Sequence, residues 1–284
     1  MTPQLLALQL LAPAEAPAPA PASEAKPAPS EQAIARETNV RLDQKTKRRF
    51  KRSGSKQRFE LEFKMGPYLP DVDRDYDGPG LGPYATIFGE TNSMGVAIDQ
   101  PKKFPMPAIA FEYQIVYLAG PLGLAVQLGF FRDKARALLT ESMPGDTSVR
   151  SQADDVTFGM VPIALQAVYR FEYGADRFRI PLVPYAKFGP AYAFWWTKSG
   201  SGNIARTEDS KGLGGVWGFQ LNAGGMLRLD FLEPNSAKRL DQITGINHTY
   251  LFGEFQLTHL DNFGAKNSIS LGDATWFAGL AIEF

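Results

Sequence analysis

With 284 residues, 30 basic against 30 acidic side chains and no cysteine, the chain excludes disulfide frameworks, thiolate metal sites and any partner selected by net charge alone. Two histidines, His248 and His259, leave little material for a histidine-based metal centre. Glycine is abundant (27) beside 20 Phe, 10 Tyr and 4 Trp, a mixture that leans toward β-structure, and no run approaches the ~20 apolar residues a membrane-crossing helix needs.

Leu5–Ala12 is apolar apart from Gln9, and Ala14-Glu15-Ala16 offers a cleavage site, so residues 1–16 read as a signal-peptide remnant lacking its basic n-region. Ala12–Ala35 is Ala/Pro-rich with scattered charge and cannot bury a core. Arg36–Arg58 then carries ten Lys/Arg against Glu37 and Asp43. Residues 17–56 are therefore expected to be a disordered linker, first Ala/Pro-rich and then basic. The basic run is a solvated tether or, alternatively, a contact for anionic headgroups or cell-wall polymer, at roughly 1 kcal/mol per basic residue near a membrane.

From residue 57 to 284 the pattern changes to period two, in eight segments. The first sets Phe59, Leu61, Phe63 and Met65 against Glu60, Glu62 and Lys64. Ile109 to Tyr117 follows with Glu112 and Gln114 on its other face, and Leu122 to Phe130 with Gly123, Ala125, Gln127 and Gly129. Val161 to Tyr169 opposes Pro162, Ala164, Gln166 and Arg170, and Leu182 to Phe194 opposes Tyr185, Lys187, Gly189 and Ala191. Trp217 to Phe231 opposes Gly218, Gln220, Asn222, Arg228 and Asp230. Leu251 to Leu257 opposes Phe252, Glu254 and Gln256, and Trp276 to Phe284 opposes Thr275, Phe277, Gly279 and Glu283. The connectors begin by alternating long and short: Gly66–Met106, Ala119–Pro121, Asp133–Asp155, Gly174–Phe178 and Thr197–Gly212. Glu233–Asn247 is of medium length and Asp261–Asn267 shorter, which breaks the trend.

Alternation also fits a soluble antiparallel barrel or sandwich. The second face discriminates, because it is built of small residues mixed with charges of both signs, where a water-facing strand would show Thr, Lys, Glu and Gln. Small residues and paired charges suit the narrow interior of an eight-stranded barrel. The sequence thus predicts an all-β fold, an eight-stranded antiparallel transmembrane β-barrel over 57–284, behind a disordered N-terminal tail. Its lumen is expected to hold an ion-pair network of Glu60, Glu62, Glu112, Lys187, Arg228, Asp230 and Glu254, with Arg228 and Glu254 as one cross-link. Tyr117, Tyr169, Trp195, Trp196, Trp217 and Trp276 are candidate interfacial girdle residues.

The last strand, Ala274 to Phe284, resembles the C-terminal signal of bacterial outer-membrane proteins, with Trp276, Leu280, Ile282 and Phe284 at its alternating apolar positions. The resemblance implies recognition by the outer-membrane assembly machinery through strand addition, an address in the bacterial outer membrane and an N-terminal tail in the periplasm. More closely, the chain resembles a myxobacterial-type outer-membrane β-barrel family of unassigned activity. That likeness rests on Gly66-Pro67-Tyr68 with Pro70 and Asp71, Pro83-Tyr84 with Phe88-Gly89, Gly245 to Glu254, and Ser270-Leu271-Gly272-Asp273 onward. It implies fold and location and supplies no reaction.

Among motifs that carry chemistry, Asp73-Arg74-Asp75-Tyr76-Asp77-Gly78 matches the first half of a Ca²⁺ loop, with Asp73, Asp75 and Asp77 as oxygen ligands. Tyr84 stands at the twelfth position, so an EF-hand is excluded and any Ca²⁺ affinity is expected to be weak; the bland alternative is a solvated acidic loop. His248 and Glu254 with Ser268 or Ser270 make a lipid-A-modifying hydrolase the enzymatic rival. No phosphate loop or nucleic-acid motif appears, and Gly212-Leu213-Gly214-Gly215 reads as a strand start with close backbone approach. The expected function is non-enzymatic: a barrel in outer-membrane lipid whose long extracellular loops serve envelope integrity, adhesion or contact with an unidentified ligand, with a narrow pore as the other alternative.

Overall fold

The computed structural model describes residues 58–139, 149–178, 180–207, 210–229, 246–265 and 268–284. The expected signal remnant and linker, and Asp230 of the expected lumen network, lie outside the described residues. The strands are β1 (Phe59–Tyr68), β2 (Glu90–Thr91), β3 (Ala97–Asp99), β4 (Phe104–Tyr117), β5 (Pro121–Gly129), β6 (Phe131–Leu138), β7 (Arg150–Arg170), β8 (Leu182–Lys198), β9 (Leu213–Arg228), β10 (His248–Leu260) and β11 (Asp273–Glu283). Two six-residue helices, α1 (Pro83–Phe88) and α2 (Tyr173–Phe178), sit in connections. Among the described residues no helix is long and apolar enough to cross a membrane.

β5 and β6 are one stave broken at Phe130, since β5 bridges β4 and β7 while β6 continues along β7. The ring closes where β1 meets β11, from Glu60↔Glu283 to Met65↔Ala278. Eight staves result, antiparallel at every junction, and closure pairs the first stave with the last.

Period two decides which way each side chain points. Phe111, Leu221, Phe255 and Trp276 are 45%, 41%, 55% and 60% exposed, whereas their neighbours Glu112, Gln220, Glu254 and Thr275 are buried. The same inversion runs round all eight staves. In water it would combine a continuous apolar band with buried charge, both costly. In hydrocarbon the band is solvated and the strand backbones pair with one another round the ring. The fold is therefore a closed eight-stranded barrel of the transmembrane type.

One end carries the tight turn between β4 and β5 together with the start of β1 and the last residue, Phe284, because Phe59 and Phe284 exchange backbone hydrogen bonds of 3.0 and 2.9 Å. Ala119 and Gly120 take positive φ in that turn, and Gly120 lies so close to the Arg170 carbonyl that a Cβ there would collide with it. The opposite, loop end carries residues 69–103, which fold into α1 and the β2–β3 hairpin.

Three expectations need correction. Asp133–Asp155 is not a long loop, because β6 and β7 carry the sheet out to Leu138 and back from Arg150. Their outer parts have polar residues on both faces, so the hydrophobic alternation that marks a stave fades while backbone pairing continues. Gly174–Phe178 is not a bare turn but most of α2. Trp195 does not join an outward girdle; it turns inward and stacks on Phe158, ring centroids 6.4 Å apart.

Candidate functional site

Alternation on eight staves brings the inward polar residues into two layers. Near the turn end, Arg170, the last residue of β7, points its guanidinium at Glu60 and Glu112 (3.1 Å to Glu112 Oε1) and lies 3.8 Å from Glu283. Gln114 Nε2 and Tyr250 OH donate to the two oxygens of Glu283 at 2.5 and 2.9 Å. One layer further in, Lys187 Nζ donates to both oxygens of Glu62, at 2.6 and 2.5 Å, and lies 3.6 Å from Glu254. Lys64 bonds Glu254 and, at 2.6 Å, Gln127 Oε1. Tyr185 OH and Asn222 Nδ2 complete the shell of Glu254 at 2.8 and 2.6 Å. An amide cluster of Gln166, Gln220, Asn222, Gln127 and Gln256 fills the space beside it.

Glu60, Glu62, Glu112, Lys187 and Glu254 of the expected network thus meet in the lumen. Arg228 and Glu254 do not form the expected cross-link: Arg228 faces Tyr250 and lies 3.8 Å from Glu172, four register positions along from Glu254. Lys64, Arg170 and Glu283 are central members that the expected network omits, although period two places all three on the charged face. Glu60, Glu62 and Glu112 are the one trio of buried metal-competent groups within 4.8 Å of one another among the described residues. Arg170 and Lys187 supply their positive partners.

Above these layers the lumen is apolar. Tyr68, Met106, Phe131, Phe158, Met160 and Phe277 form a buried cluster, capped by Tyr84 and Phe88 of α1. The helix is held from both ends. Asp73 accepts from the Tyr84 and Ala85 amides at 2.9 and 2.7 Å, satisfying free N–H groups of its first turn. Arg150 donates to the carbonyls of Thr86 and Ile87, and also to Gly95 and Arg136. Tyr84 OH reaches Asp133 at 2.8 Å, and burial, reinforced by Asp133, pushes its phenol pKa up, keeping it a donor.

This arrangement separates the expected Ca²⁺ ligands. Asp73 spends both oxygens on α1, Asp75 pairs with Arg74 at 3.2 Å, and Asp77 is exposed. The three do not converge, because a six-residue helix beginning ten residues downstream competes for the first of them. Nor do His248, Glu254 and the serines converge. His248 opens β10 at the turn end, Glu254 points into the lumen, and Ser268 and Ser270 lie at the loop end. His259 Nε2 lies 2.9 Å from Asp261, but Ser270 Oγ has no hydrogen-bond partner, so no serine–histidine bond exists there. Of the terminal-strand residues, Trp276, Leu280 and Phe284 are exposed on the outer face and Ile282 partly so.

A pocket of about 360 Å³ opens at the loop-end rim, between the segment following β1 and the tops of β10 and β11.

No family model matches the chain, and no curated protein matches it. Among solved structures it is similar to OprG of Pseudomonas aeruginosa, an outer membrane protein (12% identity, 80% of this chain and 96% of that one, TM-score 0.43). It is similar also to Ail, the attachment invasion locus protein of Yersinia pestis (11%, 80% and 97%, TM-score 0.35). A major outer membrane protein of Thermus thermophilus is a third (14%, 81% and 100%, TM-score 0.37). At these scores the likenesses decide nothing about role or location, and the barrel stands on its own strand pairing.

Proposed function

We propose that the protein resides in the bacterial outer membrane as a closed, non-enzymatic barrel that presents its loop end to the exterior. One observation carries this reading: an uninterrupted outward apolar band encloses a lumen of buried, mutually paired charges. Only a hydrocarbon surround makes that polarity stable. The filled lumen and the apolar plug beneath α1 favour a closed barrel over a narrow pore. The separation of His248, Glu254 and the serines supports a non-enzymatic reading over a lipid-modifying hydrolase. β11 supplies the closing strand that the assembly machinery would add, outer-membrane lipid is the solvent, and the basic N-terminal segment belongs in the periplasm. Membership of the myxobacterial-type family is part of this proposal and rests on the motifs quoted above.

Because the chain has no cysteine, single cysteines report orientation cleanly. Ser93→Cys, in the β2–β3 hairpin, should react with a membrane-impermeant maleimide on intact cells. Ala119→Cys, in the tight turn, should react only after the outer membrane is opened. The reverse pattern, or both cysteines in the soluble fraction, would contradict the proposal.

A further inference from the structure

We infer that the rim pocket at the loop end binds a small aliphatic amine, with Asp71 as counter-ion and Ser270 as hydrogen-bond partner; the inference rests on the outer-membrane reading for the side from which the ligand arrives. At about 360 Å³ the pocket is at the small end of ligand cavities. Three carboxylates line it, from Asp71, Asp73 and Asp273, against one arginine, Arg74. An anion is therefore disfavoured.

The existing contacts show which groups are already occupied. Asp73 caps α1. Asp273 accepts from Lys103 Nζ at 2.7 and 2.9 Å and from the Leu69 amide at 3.0 Å. Arg74 is shared between Asp75 and Asp261 at 3.2 and 3.0 Å. Two groups remain. The Asp71 carboxylate accepts no side-chain hydrogen bond among the described residues, while its backbone is fixed by a 3.0 Å bond to Gly272. Ser270 lines the pocket and is only 2% exposed, and its buried Oγ has no partner. An unpaired buried hydroxyl is destabilising, so a ligand that bonds it recovers free energy the folded chain has already lost.

Electrostatics point the same way. Burial pushes the Asp71 carboxyl up, Arg74 draws it back, and Asp273, Asp75 and Asp73 add to the rise. A cation beside Asp71 relieves that strain. A bare metal ion suits the site poorly, because these carboxylates do not gather into a trio within 4.8 Å and a hard cation needs six or more oxygens. A polyatomic ammonium spans spread-out acceptors, and Leu69, Val72 and Leu257 give its methylenes an apolar wall.

The test is calorimetric titration of the refolded full-length chain in detergent with 1,4-diaminobutane, and with glucose and CaCl2 as comparators. We expect saturable one-to-one binding of the diamine, weakened by added salt. Asp71→Asn should weaken it about tenfold or more, as loss of a charged hydrogen bond does. Ser270→Ala should weaken it a few-fold, and Asp77→Asn, outside the pocket, should leave it unchanged. Absence of diamine binding, affinity undiminished in Asp71→Asn, insensitivity to salt, or equal binding of glucose or Ca²⁺ would each overturn the inference. Gel mobility before and after boiling is recorded for every sample. Loss of diamine binding in a chain whose band still shifts counts against the pocket alone, whereas a wild-type chain with no shift overturns the barrel reading and this inference with it.

Discussion

A single position shows how the barrel inverts the usual rule of burial. Leu221 lies on β9 between Gln220 and Asn222, which point into the lumen, and is itself 41% exposed. In hydrocarbon, arginine at this mid-stave position should cost about 2–4 kcal/mol. Urea unfolding of refolded Leu221→Arg checks this, and unchanged stability would mean the outward face is misassigned. Lys187 tests the inward face. It sits between Glu62 and Glu254, and Lys187→Met would leave buried carboxylates short of a cation, at a cost of about 3–5 kcal/mol. The double change Lys187→Met/Glu62→Met should recover much of that loss, since Glu254 keeps Lys64. Equal destabilisation by the single and double variants would contradict the pairing. At this scale the sequence was informative about facing and silent about partners. Period two marks Glu62, Lys187 and Glu254 as inward, but whether Arg228 meets Glu254 depends on the stagger between staves. Here Arg228 pairs in register with Tyr250, four residues from Glu254.

At the scale of elements, all eight staves were legible wherever they cross the apolar band, because lipid on one side and a charged lumen on the other enforce alternation. They became illegible where that contrast ends. Arg132, Lys134 and Arg136 on β6 point outward beyond the band, yet Arg132 still pairs with Gly159 and Lys134 with Thr157. Six residues, Pro83 to Phe88, are too short to show a helical period, so the sequence carries no sign of α1 or of Asp73 as its cap. What holds α1 is tertiary: Asp73 reaches its amides from ten residues before Pro83, and Arg150 reaches its last carbonyls from β7. The terminal stave was legible to its final residue. Phe284 packs against Phe59, centroids 5.9 Å apart, at the seam where the barrel closes. Deleting Phe284 or replacing it with Asp should lower the amount assembled in the outer membrane while leaving export intact. Fractionation and surface labelling measure this, and normal surface levels in both variants would refute the role given to that stave.

The whole molecule is organised by one physical contrast. The lumen is layered from charged at the turn end, through amides, to an apolar plug under α1, and the outside is apolar all round. Neither surface suits water alone, so the folded chain is a membrane-solvated object whose exposed chemistry is concentrated in its loop end. Electrophoresis of the refolded chain with and without boiling, paired with its partition between detergent and aqueous phases, addresses this most directly. The unboiled band should migrate differently from the boiled one, and the protein should enter the detergent phase. A single unshifted band with recovery from the aqueous phase would contradict the membrane barrel.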